Sequence, residues 1–336
     1  MHLRRPWIAA KSVSAAMLTS MTVAATIPAA RVCADPTTVA ATIPAARVCA
    51  DATTVATTIP AESVGSQTIP GRPTPPYRRS MNSATQQDDL RPLVGRRALV
   101  TGGASGIGRA IAVAVAGAGA DVTILDRDIQ AKAVADKIGG FAVVADLSDL
   151  DSLAALDLDV DILVNCAGVQ HVAPLESFPP DKFSLILRLM LEAPFRLIQH
   201  SLPHMYAQGW GRIINVSSAH GLRASAYKSA YVTAKHGLEG LSKVTALEGA
   251  PHGVTSNCIN PAYVRTPLVE AQVADQARTH GISASEVLEK IMLERMAIKR
   301  LIEPEEVGAL ALFLCGDSAR SVTGSSFCIA GGWTAH

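Results

Sequence analysis

The sequence predicts an α/β protein: one domain on a doubly wound parallel sheet of about seven strands, preceded by a low-complexity N-terminal extension. Three observations predict it. From Arg97 onward, short β-rich runs alternate with longer helical stretches, the alternation of a strand–helix–strand fold. The strand-like runs are apolar along their length, as strands covered on both faces are. The first run ends in a glycine-rich turn that leads directly into a helical pattern. The domain spans 94–336 and the extension 1–93.

The elements follow in order. The first strand is Ala98–Thr101, with a helix over about 107–118 after the glycine turn. Asp121–Asp126 is the second strand and 128–138 its helix. Phe141–Val144 is the third, followed by a short helix near 149–156. The compact stretch from Asp146 to Asn165 leaves room for little more before the fourth strand, Asp161–Asn165. A long helical pattern covers 180–207, and Gly211–Val216 is the fifth strand. A helix over 228–249 leads to the sixth strand, Val254–Ile259. Long helical segments at 268–297 and 304–315 precede the last strand, Ser326–Ile329. In such a sheet, ligands bind at the carboxyl ends of the strands.

The chain has 336 residues, 49% of them hydrophobic, and a net charge of +1. Its near-neutral average gives no reason to expect nucleic acid or an anionic membrane as partner. Residues 1–80 hold eight basic and three acidic residues, while the remainder is net acidic. Six cysteines are scattered without a CxxC pair, which predicts a reduced, cytoplasmic protein with no disulfide framework and no metal site.

The extension contains an internal repeat of 16 residues: Thr22–Asp35 returns as Thr38–Asp51, and more loosely from Thr54. Copies rich in Ala, Thr and Pro offer little to pack, so the segment is expected to be disordered. Three roles stay open. It is an extension without function, Met81 being the true start; a targeting segment, since Arg4, Arg5 and Lys11 precede the uncharged stretch Ser12–Ala30; or a tether.

The turn Thr101-Gly102-Gly103-Ala104-Ser105-Gly106-Ile107-Gly108 lets backbone approach a pyrophosphate, and the helix that follows offers free N–H groups. An ordinary tight turn also explains such glycines; their place between strand and helix favours the nucleotide. Asp126, ending the second strand, suits the hydroxyls of an adenosine ribose and disfavours a 2′-phosphate. Arg127 beside it can serve such a phosphate, but NAD is the favoured cofactor over NADP. Asp146 and Leu147 follow the third strand, where they can contact adenine. Asn165, Ala167 and Gly168 follow the fourth, against the cofactor.

Tyr231 and Lys235 stand four apart, on one helix face. A nearby ammonium favours a phenolate and so lowers the pKa of a tyrosine toward the range of acid–base work. Ser218, thirteen residues upstream, can polarise the reacting oxygen. The bland alternative is a helix-surface pair.

In order, the glycine turn, Asp146, Asn165-Cys166-Ala167-Gly168, Ser218, Tyr231-Val232-Thr233-Ala234-Lys235 and Pro261-Ala262-Tyr263-Val264-Arg265-Thr266-Pro267 resemble the motif set of the short-chain dehydrogenase/reductase family. The resemblance implies a Rossmann-type fold, Tyr231 as acid/base, Lys235 as its modulator and a holder of the nicotinamide ribose, and Ser218 as substrate orienter. It implies that Pro261, Val264 and Thr266 lie near the nicotinamide, and that the protein is a homotetramer. Two positions depart from the family pattern: Met190 takes the place of an Asn that holds the water of a proton relay, and Ala262 that of a Gly.

A narrower resemblance, to the bacterial D-3-hydroxybutyrate dehydrogenases of that family, is carried by Cys166–Gln170, by 211–237, by Thr266–Gln272 and by the terminal Gly331-Gly332-Trp333-Thr334-Ala335. It implies a small hydroxy acid substrate whose carboxylate is held by Gln170, His220, Lys228 and Gln272, with Trp333 beside them. Burying a carboxylate requires such a cation and neighbouring donors. Two other readings remain: a reductase of another small ketone or an acyl thioester, and a cofactor-binding module whose turnover is impaired by Met190.

Overall fold

The computed structural model describes residues 91–335 apart from 155 and 157. The disordered-extension expectation therefore lies, for 1–90, outside the described residues. Leu93, placed at the end of the extension, is packed in the core, and its N–H donates to the Ala118 carbonyl at 2.9 Å. The folded unit thus takes in Leu93.

Seven strands form one sheet: β1 Arg97–Thr101, β2 Asp121–Asp126, β3 Phe141–Val144, β4 Ile162–Asn165, β5 Gly211–Val216, β6 Val254–Pro261 and β7 Ser326–Ile329. Their order is β3-β2-β1-β4-β5-β6-β7 and every pairing is parallel. The direction of winding reverses between β1 and β4, which opens a crevice at their carboxyl ends. The doubly wound α/β architecture is as the sequence predicts.

Alternate residues of each strand face opposite layers. Ala98, Val100, Val122, Ile124, Ile162, Val164, Ile214, Val216 and Ile259 pack on one face with α1 Gly106–Gly117, α2 Gln130–Ile138 and α9 Pro304–Cys315. Leu99, Leu125, Leu163 and Ile213 face the other layer, with α3 Leu150–Ala154 and α5 Ala193–Gln208. Gly108 lets α1 sit close, because a Cβ there would collide with the Gly102 carbonyl oxygen.

Two helical expectations change. The stretch 180–207 is α4 Pro180–Leu187, one π-helical turn Arg188–Glu192, and α5. The single segment over 268–297 is broken. After α7 Pro267–His280 comes Gly281 at φ +64°, and then α8 Ala284–Val287, started by a Ser283/Glu286 capping box. A second π-helical turn, Leu288–Met292, ends the helical run. A left-handed glycine stops a helix and a capping box starts one, so the break was written in the sequence. The remaining long helix, α6 Ser229–Gly249, is continuous.

Candidate active site

At the carboxyl ends of the strands lies a cleft of about 430 Å3 lined by Gly102, Ser105, Gly106, Ile107 and Gly108 of the first turn, Asp126 and Arg127 after β2, Asp146 and Leu147 after β3, Ala167 and Gly168 after β4, and Thr266 before α7. Gly102 has φ +68°, and a Cβ on it would stand 2.8 Å from the Ala167 backbone. No side chain therefore obstructs the turn. Ser105, at the N-cap of α1, makes no side-chain cap, which leaves the first N–H groups of a 12-residue helix for a ligand. These features fit a dinucleotide.

Asp126 accepts hydrogen bonds from the N–H groups of Ala104 and Asp128, both at 3.0 Å. The contact with Ala104 pins the glycine turn to the end of β2. Asp146 accepts from the N–H and hydroxyl of Ser148, both at 2.8 Å, and these bonds hold its carboxyl below the usual value. Of the expected cofactor contacts, Thr101, Asn165, Tyr231, Lys235, Pro261 and Val264 do not line this cleft; Tyr231 and Val264 line the smaller cavity beside it. The Thr101 hydroxyl donates to the Val164 carbonyl and accepts from the N–H groups of Cys166 and Ala167, which joins β1 to β4. Asn165 is buried and donates to Asn215 at 2.9 Å. The Pro261 carbonyl faces Ser218 Oγ at 3.5 Å.

The catalytic triplet is assembled from a strand end and a helix. Ser218 follows β5, and its hydroxyl accepts from the His220 N–H at 3.1 Å. Tyr231 and Lys235 lie one turn apart in α6, with Lys235 Nζ 5.7 Å from the Tyr231 ring centroid. The Lys235 ammonium is buried and donates to the Val216 carbonyl at 2.6 Å. Burial pulls its pKa down to about 8. The phenol departs from expectation. Burial pushes Tyr231 above its ordinary value, and hydrogen bonding with Ser218 opposes that shift only in part. The lysine is directed at a carbonyl, and desolvation dominates the tyrosine.

Next to the cleft, and sharing Ile107, Thr266 and Leu268 with it, is a cavity of about 100 Å3. All seven residues expected around the substrate line it: Gln170, Ser218, His220, Lys228, Tyr231, Gln272 and Trp333. Gln272 of α7 donates to Gln170 Oε1 at 3.1 Å, while the buried Nε2 of Gln170 has no hydrogen-bond partner. His220 packs against Trp333, with ring centroids 5.1 Å apart, and its Nε2 lies 2.9 Å from the Ser225 hydroxyl. Burial, and then the charges of Lys228 and Arg295, lower His220 to about 4. It is a neutral imidazole near pH 7. Burial lowers Lys228 as well. Lys228 follows Tyr227, which has φ +67° and whose carbonyl accepts from the Ala173 N–H at 3.0 Å. Such a φ is costly for a tyrosine, and it falls on the residue preceding a lysine that lines the cavity.

Tyr263 and Arg295 escaped the sequence reading. Tyr263 lines the cavity and lies under Lys228 Nζ at 5.8 Å. It stands inside the motif from Pro261 to Pro267, so its neighbourhood was visible. Arg295 stacks over Trp333 at 4.8 Å. It arrives from the irregular stretch after Met292, where no local pattern signals it. Met190 is buried in the π-helical turn with Ala230, Ala234 and Tyr231, and a Cβ on Gly168 would lie 3.3 Å from its Cε.

A family profile described as Enoyl-(Acyl carrier protein) reductase matches residues 102–334. A D-beta-hydroxybutyrate dehydrogenase of Rhizobium meliloti (strain 1021) is 44% identical over 256 residues, 72% of this chain and 99% of that one. One from Cupriavidus necator is 44% identical over 257 residues, 73% of this chain and 100% of the relative. A solved structure from Beutenbergia cavernae, described as an NAD(P)-dependent gluconate 5-dehydrogenase with NADP at low occupancy, superposes with a TM-score of 0.66 at 37% identity, covering 74% of this chain and 100% of the other. With the glycine turn, Ser218, Tyr231 and Lys235 at the ends of a seven-stranded parallel sheet, the chain belongs to the short-chain dehydrogenase/reductase family.

Proposed function

We propose that the protein is an NAD-dependent dehydrogenase that interconverts D-3-hydroxybutyrate and acetoacetate. The observation that carries this reading is the small cavity in which Gln170, His220, Lys228 and Gln272 surround the approach to Ser218 and Tyr231. A partly buried ammonium, a neutral imidazole and an amide nitrogen without a partner form a site that lacks a negatively charged acceptor, and a carboxylate fits it. The volume suits a short acid and not an acyl thioester. The two D-beta-hydroxybutyrate dehydrogenases at 44% identity agree with it.

The glycine turn, Asp126, Asp146 and Thr266 would hold a nicotinamide nucleotide, which when bound would supply the hydride acceptor. Lys228 and the two glutamines fix the carboxylate, which sets the C3 hydroxyl between Ser218 and Tyr231. Ser218 holds the hydroxyl oxygen and Tyr231 takes its proton. Burial alone opposes the phenolate. The positive charge of Lys235 works in the other direction. Asp126 favours NAD, because a 2′-phosphate would meet the negative charge of a carboxylate that the N–H groups of Ala104 and Asp128 hold in place at the end of β2.

Met190 favours a second reading. Where the family resemblance implies a relay Asn, a buried thioether stands, and a chain that binds nucleotide but turns over slowly would carry such a change. Steady-state rates with NAD and NADP and each enantiomer of 3-hydroxybutyrate separate the two. The expected result is NAD-linked oxidation of the D enantiomer that disappears in Lys235→Met. Preference for NADP, or for the L enantiomer, contradicts the proposal, and nucleotide binding without turnover supports the second reading. The location implied by an enzyme with free Cys166, Cys258, Cys315 and Cys328 is the cytoplasm. Among the described residues no helix is long and apolar enough to cross a membrane.

A further inference from the structure

Glu239 lies in α6 one turn beyond Lys235, on the same helix face. It is buried, and the chemistry above does not use it. A carboxylate taken out of water needs compensation. Its direct partners are neutral: Asn260 Nδ2 donates to Oε1 at 2.5 Å and the Ser326 hydroxyl donates to Oε2 at 2.6 Å. Asn260 Nδ2 also donates to the Ser218 carbonyl at 2.9 Å. Gly221 closes the turn after Ser218 so tightly that a Cβ on it would stand 3.0 Å from Glu239 Oε1. The carboxylate thus lies under the serine turn, one helical turn along α6 from the lysine.

Lys235 has the complementary problem. Its ammonium is buried and directly bonded to the neutral Val216 carbonyl. The charged and titratable groups around it are Cys166 at the end of β4, Cys258 of β6, Glu239, and Tyr231, whose ring centroid is 5.7 Å away. Burial raises both thiols, Cys166 to about 12, and it raises the Tyr231 phenol as well, so none of the three is an anion in the resting site near neutral pH. Among these groups, Glu239 is the one able to balance the ammonium.

We propose that Glu239 is a positioning residue of the catalytic triplet: a buried counter-charge that keeps Lys235 cationic and, through Asn260, holds the Ser218 turn against α6. This rests on the reading of Lys235 as part of the catalytic group.

Glu239→Gln tests it, since Gln keeps an acceptor for Asn260 and removes the charge. A lost negative charge makes deprotonation easier for every group near it. Both limbs of the pH profile of kcat/KM with D-3-hydroxybutyrate and NAD should move to lower pH, by roughly one unit, as expected for one charge within a helical turn. Glu239→Asp, which keeps the charge, should leave the limbs in place. A fall in rate at every pH with the limbs unmoved would reduce Glu239 to a structural prop and overturn the proposal, as would an unaltered profile. If Glu239→Gln does not fold, the double variant with Lys235→Met decides. Removing both charges should restore a cooperative thermal transition if they balance each other, and a double variant as unstable as the single one overturns the idea. Activity surviving in Lys235→Met alone would instead sink the catalytic reading on which this one rests.

Discussion

Lys228 illustrates how one residue binds and orients at once. Its ammonium is desolvated in the cavity, which by itself lowers its pKa, and an incoming carboxylate offsets that cost. Removing one partner of a desolvated charge pair costs about 2–5 kcal/mol. Lys228→Ala should therefore lower kcat/KM for 3-hydroxybutyrate roughly 30-fold or more, chiefly through KM. Nucleotide affinity should hardly change, because Lys228 does not line the larger cleft. Equal loss of nucleotide binding in a titration would show that the lysine supports the whole site. At this scale the sequence was legible where chemistry is tied to spacing: four polar residues from three separate stretches do line one cavity. It was not legible where burial decides. Spacing alone placed Lys235 beside Tyr231, but it could not show that the ammonium bonds to Val216 and that desolvation raises the phenol. Nor did Glu239 stand out, because a glutamate in a helix reads as solvated until a strand covers it.

Among the elements, α7 joins the two halves of the proposed carboxylate site. Thr266 caps it, accepting from the Val269 N–H, and Gln272 reaches from it to Gln170 after β4. The left-handed Gly281 and the Ser283 cap make the break after it a sharp one. The sequence reading missed that break by following hydrophobic periodicity past two stop-and-start signals, whereas the strands, whose apolar runs are short and bounded, came out within a residue or two. The π-helical turn at Arg188–Glu192, which buries Met190 against α6, left no such mark. If α7 closes when the acid binds, amide exchange over 267–292 should slow with 3-hydroxybutyrate and nucleotide together and not with nucleotide alone. The methyl ester, which lacks the anionic end, should neither slow the exchange nor be turned over well. An ester oxidised as fast as the free acid would remove the carboxylate from the argument.

For the whole molecule, the relatives bound what the fold requires. The two D-beta-hydroxybutyrate dehydrogenases are covered over 99% and 100% of their lengths by less than three quarters of this chain, so a chain beginning at Met81 should keep the activity; loss of soluble protein on truncation would contradict this. The outer surface of α4, α5 and α6 raises the question of assembly. Phe195, Val244 and Leu247 are exposed there, Leu247 to 78%. Leu187, Leu191 and Leu241 line a hollow between these helices. Leaving such a face in water forgoes roughly 25 cal/mol for each Å2 of apolar surface that a partner would cover. A second copy is the partner we infer, because two-fold contacts pair one patch with itself, and the charged Arg188 and Glu192 at the rim of this hollow can pair across such an axis. We expect a homotetramer, as the family resemblance implies, with this face as one of its interfaces. Light scattering at micromolar concentration should give four times the chain mass. Phe195→Glu combined with Leu247→Glu should give a smaller particle with unchanged far-ultraviolet circular dichroism, since neither side chain belongs to the buried core. A monomeric parent protein would refute the assembly, and a double variant that stays tetrameric would move the interface to another face.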